Sequence, residues 1–251
     1  MAKSVVGLYN DEILLSFDEK EHCYSVEGRK DHPNGVSQLI KETLGMSPAI
    51  GQWMANTSVD ARDAGMPSKE AKLAHRIVSK EAATIGKEVH AFAERALIEQ
   101  RVSLPQDPAA QRGAQAFLTW LHATDIRPID VERFVFSRQH YYAGRCDFYG
   151  EIAGKTCVLD LKTSSGLYRE MNFQLAAYAI AIEEELGVKI DQGWIIRLDK
   201  KTGKCEPYPV PLTQTLKKGF LMIRDLHRIL EYNDKLIEEV KQNGLSRQAA
   251  A

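Results

Sequence analysis

The sequence predicts an α/β fold, a central mixed β-sheet flanked by helices, with an α-rich N-terminal extension. Three observations point to it. Two apolar-rich runs, Cys146 to Ile152 and Thr156 to Leu161, flank Ala153-Gly154, a short glycine-containing turn that marks a hairpin. A helical stretch, roughly Tyr168 to Leu186, follows that hairpin, and a second pair of strand-like runs comes after it. Before the hairpin, by contrast, helical periodicity dominates.

The elements follow in order. Glu12 to Gly28 reads as a β-hairpin turning at Asp18-Glu19-Lys20-Glu21, and Arg29 to Gly35 as a loop of turn formers. Helices are predicted over Val36–Leu44 and Ala49–Asp63. One long helix starts after Pro67-Ser68, with Ser68 as its N-cap, and reaches about Gln100. Ser103 to Pro108, with two prolines, is a linker. Gln111–Ala123 is a helix with Phe117, Leu118, Trp120 and Leu121 turned inward. Strands follow at Asp130–Ser137, Gly144–Glu151 and Lys155–Lys162, then the helix to Leu186. Gln192–Leu198 and Lys204–Val210 form a hairpin around Lys201-Thr202-Gly203. Thr213 to about Gln242 is a long amphipathic helix with Leu216, Phe220, Ile223, Leu226 and Leu230 at core spacing. The tail Arg247–Ala251 should be loose. The whole chain, 1–251, is expected to be one domain. Residues 1–102 supply the N-terminal hairpin and helical part, and 108–251 the catalytic core and C-terminal helix.

Composition sets outer limits. With 251 residues, 44% of them hydrophobic, the chain can bury an ordinary core. No apolar run approaches membrane-spanning length. The start, Met-Ala-Lys-Ser, lacks the apolar stretch of a secretion signal, so the expected location is the cytoplasm, or the host cytoplasm for a viral protein. The four cysteines, Cys23, Cys146, Cys157 and Cys205, include no C-x-x-C pair, which argues against a zinc site or a disulfide framework. A net charge of −1 gives no global attraction for nucleic acid, so any grip on it must be local.

One constellation stands out. If Ala153 and Gly154 are a two-residue loop, Ile152 faces Lys155. Gly150 then faces Cys157, Cys146 faces Leu161, Asp147 faces Asp160 and Arg145 faces Lys162. Asp147, Asp160 and Lys162 therefore share a surface. Two opposed carboxylates repel unless a cation lies between them. Gln174 and Tyr178, four residues apart, share one face of the next helix. Upstream, His90 and Glu94 stand in the same relation on another. A metal held by carboxylates and an imidazole, with a lysine beside it, is the equipment for hydrolysing a phosphodiester. Arg145, Arg169, Thr163, Ser164 and Ser165 could meet phosphate, and Tyr142 could stack on an unpaired base. Further basic candidates are Arg133 with Arg138, and Arg197, Lys200, Lys201 and Lys204.

The ordered set Gly86-x-x-x-His90-x-x-x-Glu94, Gly144-x-x-Asp147, Asp160-x-Lys162 and Gln174-x-x-x-Tyr178 resembles the RecB-type branch of the PD-(D/E)XK nuclease superfamily. The N-terminal part, with His22, Tyr24, Val26 and Gly28, then Val36-Ser37 and Trp53, is similar to small exonucleases of the phage and mitochondrial genome-maintenance kind. The resemblance implies a restriction-endonuclease-like core. It implies Asp147 and Asp160 as metal ligands, with the Leu161 carbonyl and His90 as further ones, and Mg²⁺ or Mn²⁺ as the ion. Lys162 would orient or deprotonate the attacking water, and Gln174 and Tyr178 would position phosphate. Glu94 and Glu132 are second-tier candidates. The iron–sulfur cluster of some relatives needs a C-terminal cysteine cluster that is missing here, so none is expected. The implied activity is a DNA exonuclease on single-stranded or duplex ends, with a single-strand annealing or binding protein as a possible partner. Alternatives are a structure-selective or restriction-type endonuclease, a non-catalytic nucleic-acid-binding module and a hydrolase of small phosphoesters. Oligomeric state is not legible.

Overall fold

Residues 3–99 and 101–249 are described in a computed structural model of the chain, so the expected helix end at Gln100 and the last two residues of the tail lie outside it. Strands β1 (Lys3–Leu8), β2 (Ile13–Asp18) and β3 (Cys23–Val26) form a small antiparallel sheet in that order. The expected hairpin is β2–β3, and the Asp18 carboxylate closes its turn by accepting from the N–H groups of Lys20 and Glu21, 2.9 Å each. Strand β1 is an addition. Its consecutive valines and glycine lack clear alternation, and its alternate residues up to Gly7 remain exposed.

The rest of the N-terminal half is β4 (Asn34–Gly35), α1 (Val36–Leu44), α2 (Pro48–Asp63), α3 (Ser68–Ala71), α4 (Ala74–Ile98) and α5 (Pro108–His122). Ser47 and Asp107 cap α2 and α5 by accepting from N–H groups of the first turn, each with proline as the first helical residue. The single long helix expected from Ser68 is instead α3 and α4, broken at Lys72-Leu73. No proline or glycine marks the break, and Ser68 makes no side-chain cap. The core half runs β5 (Ile126–Ser137), β6 (Tyr142–Ile152), β7 (Lys155–Lys162), α6 (Arg169–Leu186), β8 (Gln192–Asp199), β9 (Lys204–Val210) and α7 (Gln214–Ala249). The helix therefore continues through Arg247–Ala249, in place of the expected loose tail.

These strands make one mixed sheet of order β4-β6-β7-β8-β9, with β5 on the other edge of β6. Neighbours β4–β6 and β7–β8 are parallel; the remaining pairs are antiparallel. Helices α1, α6 and α7 pack on one face through Leu39, Leu175, Ile182 and Phe220. Helices α4 and α5 cover the other with Phe92 and Phe117 against Phe148, Leu159, Leu161 and Ile196. Each of these fully buried side chains contributes about 1.5–3 kcal/mol. The result is the predicted helix–sheet–helix sandwich.

Ala153 and Gly154 both have positive φ, 51° and 74°, as a type I′ turn requires, and Ile152↔Lys155 and Gly150↔Cys157 pair as expected. Gly150 lies where β5 kinks between Pro128 and Asp130. A Cβ there would stand 2.3 Å from the Arg127 carbonyl oxygen and 2.8 Å from the Phe148 ring. Backbone cannot yield as a side chain does, so Gly150→Ala should lower stability by about 3 kcal/mol. Urea unfolding checks this; a midpoint unchanged from wild type would show that the strands can shift.

The β6–β7 ladder ends at Phe148↔Leu159. The expected backbone pairs Cys146↔Leu161, Asp147↔Asp160 and Arg145↔Lys162 do not form. The Asp147 carboxylate instead accepts the Leu161 N–H at 2.6 Å, which takes that donor out of the ladder. Beyond the gap, β4 joins the same edge of β6 at Tyr142 and Ala143. Among the described residues, 144–147 thus have no strand partner on that edge.

Candidate functional site

The gap in the β6 edge is where the candidate residues gather. On the β7 side, the Lys162 ammonium contacts the Asp160 carboxylate and donates to Gln174 Oε1 at 3.0 Å. Gln174 in turn donates from Nε2 to the Tyr178 hydroxyl at 2.7 Å. Helix α6 therefore clamps the lysine from one face of the sheet, and its i, i+4 spacing aligns glutamine and tyrosine on one row. Tyr178 packs where Gly144 leaves space: a Cβ on Gly144 would lie 2.9 Å from the Tyr178 ring and 3.1 Å from Val36.

Helix α4 approaches from the opposite layer and brings His90 Nδ1 to 3.5 Å from Asp147 Oδ2. Gly86, one turn earlier, allows the approach, since a Cβ there would meet the Thr163 hydroxyl at 3.0 Å. On β5, Val131↔Phe148 and Arg133↔Cys146 bracket Glu132, so its register position is opposite Asp147. Glu132 has φ 53°, a left-handed torsion that costs a non-glycine residue about 1 kcal/mol. One donor atom from each of His90, Glu132 and Asp147 lies within 4.8 Å of the others. Asp160 is not in that trio. Glu132, a second-tier candidate by sequence, thus joins His90 and Asp147. Glu94, one turn along α4 from His90, is close enough for its charge to act on Glu132.

Charge state follows from this crowding. Burial, with Asp147 and Glu94 nearby, pushes the Glu132 carboxyl up to about 7, although Arg145 at 2.7 Å opposes it. Burial likewise pushes Asp160 up to about 6, with Asp147 adding to the rise and Lys162 resisting it. Burial works against charge on Asp147 too, but His90, Lys162 and the Leu161 N–H hold its carboxyl below the usual range. Burial disfavours the His90 and Lys162 cations, yet Asp147 raises the imidazole and Asp160 raises the ammonium. Three carboxylates, Glu132, Asp147 and Asp160, thus crowd one place, and the like charges of Asp147 with Glu132 and with Asp160 repel. One imidazole and two carboxylates suit a Mg²⁺ or Mn²⁺ ion, and a divalent cation at the trio would relieve the repulsion.

The other expected contacts divide. Arg169 is exposed at the first residue of α6, a helix end where anions are favoured. Ser164 donates to the Gly166 carbonyl at 2.8 Å, and Ser165 shares a hydrogen bond with Tyr168 at 3.2 Å. Tyr142 does not face solvent: it is fully buried and its hydroxyl donates to the Ala177 carbonyl at 2.7 Å, so it packs the core and cannot receive a base. Arg145 does not oppose Lys162; it pairs with Glu132 and, at 3.7 Å, with Glu19. Arg133, Arg138 and Arg197 are engaged by Glu185, Glu12 and Glu206. Leu161 is buried and its N–H is the group that anchors Asp147. The signal for Glu132 lies in the second hairpin. Counting back from Ser137↔Tyr142 places it opposite Asp147, just as the first hairpin places Asp160.

No family model matches the chain, and no curated protein matches it. Among solved structures, the chain is similar to SSO0001, at 17% identity and a TM-score of 0.39, over 78% of this chain and 75% of that one. It is also similar to LHK-Exo, solved in complex with dAMP, at 12% identity and a TM-score of 0.42, over 85% of this chain and 94% of that one. Overlaps this loose say nothing of the chemistry of this chain.

Proposed function

We propose that this chain is a divalent-metal-dependent deoxyribonuclease that hydrolyses phosphodiester bonds from DNA ends, in recombination, repair or phage DNA processing. The observation that carries the reading is the convergence, at one break in the sheet, of the His90–Glu132–Asp147 trio with the Asp160–Lys162–Gln174–Tyr178 row.

His90, Glu132 and Asp147 would hold Mg²⁺ or Mn²⁺, with Asp160 and the Leu161 carbonyl at its margin. When bound, such an ion polarises a phosphoryl oxygen and acidifies water. Lys162 is raised above its ordinary value, so it serves as a fixed cation. It orients the attacking water and steadies charge growing on the phosphate, and it does not begin as the base. Gln174 and Tyr178 keep its ammonium from swinging away. Arg169 and the α6 N-terminus receive a neighbouring phosphate. DNA is the macromolecular partner, and a single-strand annealing or binding protein would supply its ends. Residues 1–251 work as one catalytic domain in the cytoplasm.

Linear DNA labelled at one end, offered beside covalently closed circles with Mg²⁺ or Mn²⁺, tests this. Mononucleotides or short products released from the ends, intact circles and complete arrest by EDTA are expected. Nicking of the circles would move the activity to the endonuclease class. No hydrolysis of either substrate with either ion would end the nuclease reading.

A further inference from the structure

Arg197 is a buried cation, 9% exposed, that the proposed reaction leaves unused. Strand β8 runs parallel to β7, and the register pairs Arg197 with Lys162, so the two project from the same face of the sheet. They are held differently. Lys162 contacts Asp160 and Gln174, whereas Arg197 Nε and Nη2 both meet Glu206 Oε2, at 2.7 and 2.5 Å. Glu206 lies opposite Arg197 on β9, and the same oxygen accepts the Tyr208 hydroxyl at 3.0 Å. Asp199 adds a second carboxylate at 3.5 Å. A guanidinium so enclosed leaves little of itself for phosphate.

One donor reaches out of the sheet. Arg197 Nη1, besides its contact with Asp199, donates to the Ser164 carbonyl at 3.1 Å. Ser164 belongs to residues 163–168, which connect the end of β7 at Lys162 to the start of α6 at Arg169. Among the described residues, the other side-chain hydrogen bonds of this loop close on the loop itself, Ser164 to Gly166 and Ser165 to Tyr168. Tyr168, at the N-cap of α6, supplies no side-chain cap, so the N–H groups of the first turn are not tied down there. A buried ion pair is weak evidence for stability, because matched apolar side chains often serve as well. What the planar fork of an arginine adds is geometry, here a carboxylate fixed along one edge and a backbone oxygen at another.

We infer that Arg197 is a positioning residue, which through the Ser164 carbonyl holds the 163–168 loop where its hydroxyls and the start of α6 meet a DNA phosphate. The inference rests on the nuclease reading above and deepens it. Arg197 itself touches no substrate. Lys162 serves the reacting phosphate and the loop grips a neighbouring one, so losing Arg197 should weaken substrate binding and spare the chemical step.

Arg197→Met combined with Glu206→Leu replaces the pair by apolar groups and should fold as stably as wild type. The backbone amides of 163–168 should then exchange with deuterium about tenfold faster, as expected for the loss of one charge-assisted hydrogen bond. KM for end-labelled DNA should rise about tenfold, with kcat and calorimetric Mn²⁺ affinity within about twofold of wild type. Glu206→Gln, which keeps the shape and loosens the hold on the guanidinium, should move exchange and KM in the same directions by less. Unchanged exchange, or a wild-type KM in variants that still cut DNA, would overturn the inference and leave the nuclease reading standing. An equal fall in kcat and Mn²⁺ affinity would overturn it too, by placing the damage at the ion site. A wild type that cuts no DNA would remove both.

Discussion

Lys162→Met should lower the rate of DNA hydrolysis by about 10²–10⁴-fold while leaving Mn²⁺ affinity unchanged or tighter. The ammonium contacts Asp160 and is held by Gln174, so its removal takes away the cation that, in the proposed reaction, would steady phosphate charge. The same change deletes a positive charge beside Asp147 and Asp160, whose carboxylates are then freer to attract a metal. Asp147→Asn should behave differently. It removes an oxygen shared by the His90 contact and the Leu161 N–H, and so both metal affinity and turnover should fall, the latter by more than about 10³-fold. Calorimetric Mn²⁺ titration beside single-turnover cleavage separates the two roles. Equal loss of metal by both variants, or wild-type turnover in either, would contradict the division.

The second large effect is on stability. Without metal, the folded chain should lose stability as pH rises from about 5 to 8. Glu132 and Asp160 have folded values raised to about 7 and about 6, so the stability they contribute is complete below their ordinary values and disappears as pH climbs through the raised ones. His90, also raised, acts in the same direction above its ordinary value. Asp147 has the opposite sign, but its lowered value puts its loss in more acidic solution, and raised Lys162 releases its proton only in alkali. A tenfold gain in proton affinity on folding is worth about 1.4 kcal/mol, and the groups are not additive, so a loss of a few kcal/mol is expected. That corresponds to roughly 5–10 °C in Tm. Mn²⁺ should restore Tm at pH 8 far more than at pH 5.5, because protons compete with it for the same donors. Since other groups titrate as well, the clean readout is the comparison with Glu132→Gln, whose advantage over wild type without metal should grow with pH. A constant difference would show that Glu132 ionises normally.

How much of the fold and site is legible in the sequence differs from residue to residue. The Ala153-Gly154 turn sets the β6–β7 register, and through it the closeness of Asp147 and Asp160. It cannot reveal that the ladder stops three pairs short, at Phe148↔Leu159, because the Asp147 side chain competes with backbone for the Leu161 N–H. Glu132 is easily underrated because a lone carboxylate at the start of a strand has no helical spacing to recommend it; its partner is reached only by counting through the turn at 138–141. The turn residues around Tyr142 suggest solvent, whereas α6, through the Ala177 carbonyl, and Phe220 of α7 close over it. The break at Lys72-Leu73 carries no local signature at all. Helix α7 shows its period correctly and its environment only in part: Phe220 and Ile223 are buried, but Leu226 and Leu230, at the same core spacing, are 45% and 41% exposed.

The left-handed torsion at Glu132 has a practical corollary. Screening variants for heat resistance alone would favour glycine there, which suits the backbone and discards a buried like charge in one step. Such a variant would survive longer in the tube and have lost one of the three side chains, His90, Glu132 and Asp147, that could hold an ion. Improvement by thermal selection must therefore be scored with metal present, or it will erase the ion site on which the proposed activity depends.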